Sequence, residues 1–331
     1  MATRSLSIAS LANRVQSEAD AYLFLEGLRW ADGVVCPHCA AVSTDEKPHY
    51  FLKPQDGTSL RKTRTGSLSQ RRVWKCRECR KQFSVLTGTI FHGTKIPVRT
   101  WLFVIFEMCA SKNGVAAREI ERKYDLTPKS AWFMVHRIRE AMKREPLAGL
   151  LSGTVVADET WIGGNPGNRH RDHSKPMWAH QADRKTAVLT LVNKETGEAR
   201  SQVVRDVTSA TITKVMADQV DMPNSTLHTD EARQYLALGR EFRRHQSVNH
   251  KQGEYVRRGA STNAAEGFFS QLKRSIDGTH HALSSVHLPR YLAEFDYRYS
   301  TRDLDDGQRM AQVIGRVAGR RLSYKPLTQG N

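Results

Sequence analysis

Thr154-Val-Val-Ala-Asp-Glu-Thr-Trp-Ile162 is the stretch that decides the fold. Its apolar and β-branched residues predict a strand that is buried in a sheet. Asp158 follows the most apolar part of this strand, where a carboxylate is costly unless it is paired, metal-bound or exposed. The stretch therefore predicts a sheet and, at Asp158, a first candidate for a functional residue.

An alternation of strands and helices follows this stretch. Strands are predicted over 186–192 and 199–204, with the turn at 194–197 joining them as a hairpin, and a short strand over 225–230 ends in Asp230. The predicted helices cover residues 209–220, 231–241, 262–276 and 286–299. This pattern is typical of an α/β domain.

The composition is strongly basic. Among 331 residues, 51 Lys and Arg stand against 34 Asp and Glu, giving a net charge of +17 and a pI near 9.9. Such a balance predicts a polyanionic partner, most commonly nucleic acid, and a basic protein without such a partner is the alternative. Because no apolar run approaches the ~20 residues of a membrane span and the N-terminus lacks a signal-peptide pattern, we expect no membrane partner and a cytoplasmic, nucleoid-associated protein.

Asp158, Asp230 and Glu266 form a candidate acidic trio. The two aspartates come from two predicted strands, whereas Glu266 lies in the helix predicted over 262–276. A structural explanation exists for Glu266, because Asn263 could cap this helix and Glu266 could close a capping box. Together, three carboxylates suit two Mg²⁺ ions, which prefer oxygen ligands. Two such ions could activate an attacking oxygen and stabilise the leaving oxygen at one phosphate.

Lys273 lies seven residues after Glu266, about two helical turns along nearly the same face. It would hold the DNA backbone beside the metal ions. A separate apolar face would seat this helix on the core: Ala265, Phe269, Leu272 and Ile276. Three other acids are rivals, and the first ranks highest because it adjoins Asp158: Glu159, Asp172 and Asp183.

Two closely spaced cysteine pairs precede this domain, Cys36-Pro-His-Cys39 and Cys76-Arg-Glu-Cys79. Four thiolates are the number that a tetrahedral structural zinc site needs. Zinc is therefore predicted, and a disulfide or redox pair is the alternative, weakened by the lack of a surrounding βαβ pattern. We expect His38 to be a bystander and Cys109 to be a buried core thiol. The polar, basic stretch 56–72 between the pairs predicts an exposed loop.

Residues 7–30 and 97–144 have helical patterns. Within the second region a short helix is predicted over 115–123, and Thr127-Pro128 predicts the start of another helix. Two helices across a short turn favour a helix-turn-helix, and an ordinary helical hairpin is the open alternative. Six basic residues are candidates for DNA contact: Lys129, Arg137 and Arg139 on the helix and Arg61, Lys62 and Arg64 in the loop. For the three on the helix, a solvated surface is the alternative.

The chain resembles the bacterial insertion-sequence DDE transposases of the group with an N-terminal zinc ribbon. The resemblance spans most of residues 15–305. The stretches that carry it include Ala157-Asp-Glu-Thr-Trp-Ile-Gly-Gly164, His228-Thr-Asp-Glu231, Thr262-Asn-Ala-Ala-Glu-Gly-Phe-Phe-Ser-Gln-Leu-Lys-Arg274 and His287-Leu-Pro-Arg-Tyr-Leu-Ala-Glu-Phe295. Three positions depart from the family pattern: Trp161, Ser261 and Ser300. Some relatives use Asn as the third metal ligand, which makes Asn263 a minor rival to Glu266.

The resemblance implies an α/β fold with a ribonuclease H-like catalytic core, preceded by a zinc ribbon and a helix-turn-helix-like region. It implies that Asp158, Asp230 and Glu266 are catalytic ligands of Mg²⁺ or Mn²⁺, that Lys273 is a DNA-binding residue, and that the four paired cysteines hold zinc. The implied domains are an N-terminal helical segment (1–31), the zinc ribbon with its basic insertion (32–94), the helical DNA-binding region (95–148), the catalytic domain (149–303) and a basic C-terminal tail (304–331).

The implied reaction is metal-dependent cleavage at the ends of an insertion sequence, followed by attack of the freed 3′-hydroxyls on target DNA. The expected partners are the terminal inverted repeats, target DNA and further copies of the chain. Two alternatives stay open. One is a DNA-binding regulator with an inactive core, and the other is a ribonuclease H-like nuclease that only hydrolyses phosphodiesters.

Overall fold

The structure is a computed structural model that describes residues 6–52, 61–62, 68–144, 149–163, 185–249, 261–281, 283–324 and 327. The described chain divides into two compact units. The first takes in residues up to 111, residues 117–142 and residues from 304 onward. The second takes in residues 112–116 and residues 143–303. Among the described residues, none of the helices has the length and apolar character that crossing a membrane requires.

The first unit combines helices with short antiparallel strands. Its strands are β1 (Tyr50–Phe51), β2 (Arg61–Lys62), β3 (Leu68–Ser69), β4 (Trp74–Lys75) and β5 (Gln82–Phe83), with β1, β4 and β5 in one sheet and β2 paired with β3. Its helices are α1 (Ile8–Arg14), α2 (Glu18–Arg29), α3 (Val98–Ala110), α4 (Ala117–Lys123), α5 (Pro128–Met142) and, near the C-terminus, α10 (Asp306–Gly315). Helices α2, α3, α5 and α10 pack together.

The helix predicted over 7–30 is two helices, because a capping box starts a new one. The Ser17 hydroxyl accepts a hydrogen bond from the Asp20 backbone N–H at 3.2 Å, and the Asp20 carboxylate accepts one from the Ser17 N–H at 2.8 Å. This reciprocal pairing satisfies donors that a helix start leaves open. One helix therefore ends and a second begins between α1 and α2, although the spacing of apolar residues continues through both.

The segment from 304 onward is not only a basic tail, because it contains α10. The Asp305 carboxylate caps this helix by accepting from the Gln308 backbone N–H at 2.8 Å. Met310, Val313 and Ile314 are buried, and they give α10 an apolar face on the core of the first unit. The spacing of these three residues is the signal in the sequence that predicts this helix.

The second unit is built on a five-stranded sheet. Its strands are β6 (Thr154–Ile162), β7 (Thr186–Asn193), β8 (Ala199–Val204), β9 (Thr226–Thr229) and β10 (Arg244–Ser247), in the order β10-β9-β6-β7-β8. The first three strands in sequence form an antiparallel meander, and β9 and β10 run parallel to β6. Its helices are α6 (Ser209–Gln219), α7 (Tyr235–Leu238), α8 (Asn263–Ser275) and α9 (Leu288–Ser300). This topology, with helices on both faces, is ribonuclease H-like.

Two apolar cores cover the two faces of this sheet. On one face Val155 and Ala157 pack with residues of α6 and α7. On the other face Val156 packs with residues of α8 and α9. The predicted strands β6, β7, β8 and β9 are confirmed to within one or two residues, whereas β10 was not predicted because Arg244-His-Gln-Ser247 has no apolar run.

Candidate functional site

Asp158 lies in the middle of β6, and Asp230 directly follows the end of the neighbouring strand β9. In the parallel pairing of β6 with β9, Val156 lies opposite His228. This is the last pair of the ladder, and Asp158 and Asp230 each lie two residues beyond it. Neighbouring strands lie about 4.8 Å apart, and the Asp230 carboxylate is close enough to raise the pKa of Asp158.

Asp158 lies on the face of the sheet that α8 covers. Side chains alternate between the two faces of a strand, so Asp158 shares the face of Val156. Val156 packs with Ala265 and Phe268 of α8. Asp230 follows the end of β9, and its carboxylate acts on both Asp158 and Glu159. The topology therefore directs the Asp158 carboxylate towards the layer that carries Glu266.

Helix α8 presents Glu266 from its first turn. The helix buries Ala265, Phe268, Phe269, Leu272 and Ser275, and it leaves Glu266 and Lys273 exposed. The predicted capping box is absent, because the helix begins at Asn263 and its cap position, Thr262, makes no side-chain cap bond. The Thr262 hydroxyl instead donates a hydrogen bond to the Glu266 carboxylate at 2.7 Å. Glu266 is therefore bonded to the cap residue through its side chain and not through the predicted capping box.

The three acids act on one another electrostatically. The pKa of Asp158 is raised to about 7, chiefly by burial and in smaller part by the carboxylates of Glu159, Asp230 and Glu266, while the Glu159 backbone N–H lowers it. That N–H donates to Asp158 Oδ1 at 2.8 Å, and Asp230 Oδ1 accepts from the Ala232 N–H at 3.0 Å. The arrangement concentrates negative charge, which favours binding of a cation.

The carboxylate oxygens of the acidic trio do not all lie within 4.8 Å of one another, unlike the ligand atoms of an assembled metal site. Within the described part of the chain, the four paired cysteines are the one group of three or more metal-ligating side chains whose ligand atoms all lie within 4.8 Å of one another. Carboxylates that repel each other resist closer approach, and a hard cation between them would offset that repulsion. The donor set thus fits divalent cations by chemistry and charge.

The rival acids do not share this position. Glu159 follows Asp158 directly and so lies on the opposite face of the sheet, where its carboxylate accepts a hydrogen bond from the Tyr235 hydroxyl. Tyr235 is buried with Val155 and Ala157 in the other core. Asp172 and Asp183 lie outside the described residues. Among the described candidates, Glu159 is therefore a weaker ligand candidate than its neighbour Asp158.

The four paired cysteines form a second site. The sulfurs of Cys36 and Cys79 lie 3.7 Å apart, and those of Cys39 and Cys76 lie 3.6 Å apart. Four thiolates around one zinc ion at ~2.3 Å would stand about 3.8 Å from one another in a tetrahedron. The distances observed fit such a site closely. Cys109 is buried in α3, outside this group, as the sequence predicts.

Both cysteine pairs lie in the same kind of turn. Cys36 N–H donates to Ala41 O at 2.9 Å, and Cys76 N–H donates to Lys81 O at 3.0 Å. Ala40 and Arg80, each directly after the second cysteine of a pair, both have φ of 61°. Two equivalent turns thus aim four sulfurs at one point. His38 is exposed and is not in the group, which agrees with its expected role as a bystander.

Helices α4 and α5 pack across the connection at 124–127. The predicted start of α5 is confirmed, because the helix begins at Pro128 and the Thr127 hydroxyl accepts from the Ser130 N–H at 3.2 Å. Lys129 is exposed in the first turn. The pair keeps both interpretations open, a helix-turn-helix and a plain helical hairpin.

Two of the predicted DNA contacts on α5 are wrong, because their side chains are buried. Arg137 is 5% exposed and Arg139 is 1% exposed. The Arg137 guanidinium donates to His92 O at 2.7 Å and lies over the ring of Trp101, 5.2 Å from its centroid. These arginines stabilise the interior of the first unit and do not line a solvent-exposed surface. In the basic loop, the side chains of Arg61 and Lys62 and all of Arg64 lie outside what the structure describes.

Comparison with known proteins identifies two domains in this chain. Residues 150–300 match the ISXO2-like transposase domain, and residues 16–82 match the transposase zinc-ribbon domain. The chain belongs to the insertion-sequence transposases that carry an N-terminal zinc ribbon. The domain match begins just before β6 and ends with α9, so it contains the strands and the helix that carry all three acids of this transposase.

A curated relative comes from a transposable element. The transposase is 26% identical over 291 residues to an uncharacterised protein in transposable element ISH50 of Halobacterium salinarum, which covers 85% of this chain and 90% of that protein. A chain in the cryo-EM structure of the simian T-cell lymphotropic virus intasome in complex with PP2A regulatory subunit B56 gamma is 13% identical, with 54% of this chain and 63% of that chain covered. Its TM-score of 0.26 is too low to bear on fold or function.

Proposed function

We propose that the transposase cuts DNA at the ends of its insertion sequence and joins the freed 3′-hydroxyls to target DNA. The observation that carries this proposal is that Asp158 lies on the sheet face covered by the helix that bears Glu266, with Asp230 at the end of the neighbouring strand. The carboxylates of Asp230 and Glu266 both raise the pKa of Asp158, which supports one shared pocket. The family membership supports DNA transposition as the chemistry of that pocket.

Asp158, Asp230 and Glu266 would hold two divalent cations, Mg²⁺ or Mn²⁺. When bound, such ions activate a water or a 3′-hydroxyl and stabilise the leaving oxygen at one phosphate. The sheet fixes Asp158, because its backbone is held in the ladder of β6 and β7 opposite Thr190. Asp230 follows β9 and accepts a hydrogen bond from the Ala232 N–H. Thr262 orients Glu266 by donating to its carboxylate.

Lys273 is proposed to contact the DNA backbone beside these ions. It is exposed on α8, seven residues after Glu266, which brings it to nearly the same side of the helix. An ammonium group there would attract a phosphate by charge. The four cysteines are proposed to hold structural zinc, so that the ribbon keeps its fold without taking part in the reaction.

The direct test is a strand-cleavage and joining assay. Purified transposase with Mg²⁺ and a duplex carrying one terminal repeat should release 3′-hydroxyl ends and attach them to a second duplex. Asp158→Asn should lose both products while it still binds the duplex. The matched control is Glu159→Gln, because this acid lies on the other face of the sheet.

Each alternative function gives a different result in this assay. Cleavage without joined products would select a nuclease that only hydrolyses phosphodiesters. Binding of the terminal repeat without cleavage, with Asp158→Asn indistinguishable from the native protein, would select a DNA-binding regulator. Either result would overturn the proposed transposition chemistry.

A further inference from the structure

The C-terminal segment runs along α5 in the opposite direction to the helix. Arg320 donates to Glu140 O at 2.7 Å, near the end of α5. Four residues later, the ring of Tyr324 lies 5.5 Å from that of Phe133 and 4.3 Å from Lys129 Nζ, near the start of α5. The segment between these contacts therefore follows α5 for most of its length, within the first unit.

The same segment is tied to the turn that follows the second cysteine pair. Gly319 N–H donates to Gly88 O at 2.9 Å. Gly88 N–H in turn donates to Nδ1 of His92 at 3.3 Å. The Arg71 guanidinium donates to the Ser84 hydroxyl at 3.2 and 3.0 Å, at the beginning of this turn. Three separate parts of the sequence thus meet at residues 84–92.

Positive charge accumulates at this meeting point. Burial lowers the pKa of His92, and the charged side chains that lower it further are Arg321, Arg137 and Arg71. Arg321 also lowers the pKa of Arg137, after burial of that guanidinium. Arg71 and Arg321 are both exposed, whereas Arg137 lies beneath them in the core. Like charges held together in this way repel one another unless an anion binds beside them.

We propose that Arg71, His92 and Arg321 form a surface that binds the phosphate backbone of DNA. The inference rests on the proposed action on DNA and assigns contacts to parts of the chain outside the acidic trio. Two exposed guanidinium groups can each donate to phosphate oxygens. Because Nδ1 of His92 accepts from Gly88, the neutral ring carries its proton on Nε2 and can donate to a third oxygen.

The C-terminal segment contributes to this surface because it packs beside α5. The segment brings Arg321 to the ribbon side of the unit and leaves Lys129 exposed at the start of the helix. DNA that lies against α5 would meet phosphate contacts from the ribbon, the helix and the C-terminal segment together. Such contacts position a protein on DNA without reading sequence.

The test uses the full-length transposase, loaded with zinc, and a short fluorescent duplex of unrelated sequence. The variant Arg71→Ala/Arg321→Ala should bind more weakly than the native protein. Its plot of log affinity against log salt concentration should be shallower by about 0.9 for each phosphate contact that is lost. The variant Arg71→Lys/Arg321→Lys should keep most of the slope, because it keeps both charges.

A control pair removes the same charge elsewhere. Arg205 is an exposed arginine in the second unit, with a side chain that is 94% exposed, and Arg240 is also exposed there. Arg205→Ala/Arg240→Ala should leave the salt slope unchanged. Zinc content and thermal unfolding of all variants should match those of the native chain, which excludes loss of the fold as the cause.

Two results would overturn the proposal. If Arg71→Ala/Arg321→Ala bound the duplex as tightly as the native protein and with the same slope, the surface would not contact phosphate. Tighter binding would show that the C-terminal segment shields α5 from DNA. Both results differ from failure of the proposed function, which would appear as a native protein that neither binds nor cuts DNA.

Discussion

The Tyr235 hydroxyl donates a hydrogen bond to Glu159, on the face of the sheet opposite Asp158. Burial and the nearby carboxylates raise the pKa of Tyr235 well above its usual range, so the phenol keeps its proton and stays a donor. This bond gives the half-buried Glu159 a partner of its own. Two adjacent acids therefore have different surroundings, because alternation along one strand directs them into different layers.

Tyr235→Phe should lower the stability of the second unit and leave the proposed cation site in place. The change leaves a half-buried carboxylate without its hydroxyl donor, which costs about 1–3 kcal/mol. Urea unfolding would measure the loss, and Glu159→Gln/Tyr235→Phe should recover part of it, because an amide carries no charge to desolvate. A stability equal to that of the native protein would mean that this bond contributes nothing.

Removal of one ribbon cysteine should remove zinc and unfold the ribbon. Cys39→Ala leaves three thiolates, and a tetrahedral structural site needs four ligands. Metal analysis should find zinc in the native protein and in Cys109→Ala, since Cys109 lies outside the cluster, and little or none in Cys39→Ala. Equal zinc content in all three proteins would show that these sulfurs do not hold the ion.

Gly114→Ala and Gly267→Ala should have opposite effects on stability. Gly114 has φ of +84°, and a Cβ there would lie 2.9 Å from Glu294 Oε1. Gly267 lies inside α8, with nothing within 4 Å of an added Cβ. Gly114→Ala should therefore destabilise the second unit by about 1 kcal/mol or more, whereas Gly267→Ala should stabilise α8 by about 0.5–1 kcal/mol. Thermal unfolding of the two variants measures both effects, and a shift in the same direction for both would contradict this account.

Ionisation of Asp296 should lower the stability of the folded state as pH rises. Burial raises its pKa to about 7. The two hydrogen bonds that its carboxylate accepts, from the Ser201 N–H at 2.7 Å and the Ser201 hydroxyl at 2.6 Å, act in the opposite direction and lower this pKa. An aspartate in the unfolded chain titrates near pH 4. Between these values the folded state binds a proton that the unfolded state has lost. The contribution to stability is therefore fully present below about pH 4 and lost above about pH 7.

Urea unfolding across this pH window would measure the effect. Asp296→Asn cannot titrate, so its stability should fall less steeply between about pH 4 and pH 7 than that of the native protein. Other acids with raised pKa values contribute equally to both proteins, so the difference between the two slopes isolates Asp296. Identical slopes would mean that Asp296 has an ordinary pKa in the folded state.

The second unit was largely predictable from sequence, because its apolar strands have clear patterns. The strand around Asp158, the hairpin that follows it and the helix that carries Glu266 all lie where the patterns predict them. Strand β10 was missed, since polar residues form it and its position depends on pairing with β9. The faces that Asp158 and Glu159 take needed the structure, because packing shows which core lies beside each side chain.

The first unit shows where local patterns fail. Arg137 and Arg139 look like surface cations on α5, yet both are buried, since their hydrophobic stems and planar groups pack in the interior. Contacts between α5 and the C-terminal segment join residues far apart in sequence, such as Glu140 and Arg320. No local pattern encodes such a contact. The surface of Arg71, His92 and Arg321 was therefore invisible until the fold was known.

The central claim is that Asp158, Asp230 and Glu266 bind divalent cations together in one pocket. The most direct measurement is a titration of the zinc-loaded transposase with Mn²⁺, in the presence of an end duplex, followed by electron paramagnetic resonance of the free ion. The account predicts bound Mn²⁺ in the native protein and in Glu159→Gln, and weaker or lost binding in Asp158→Asn, Asp230→Asn and Glu266→Gln. Undiminished binding in all three single variants would contradict it.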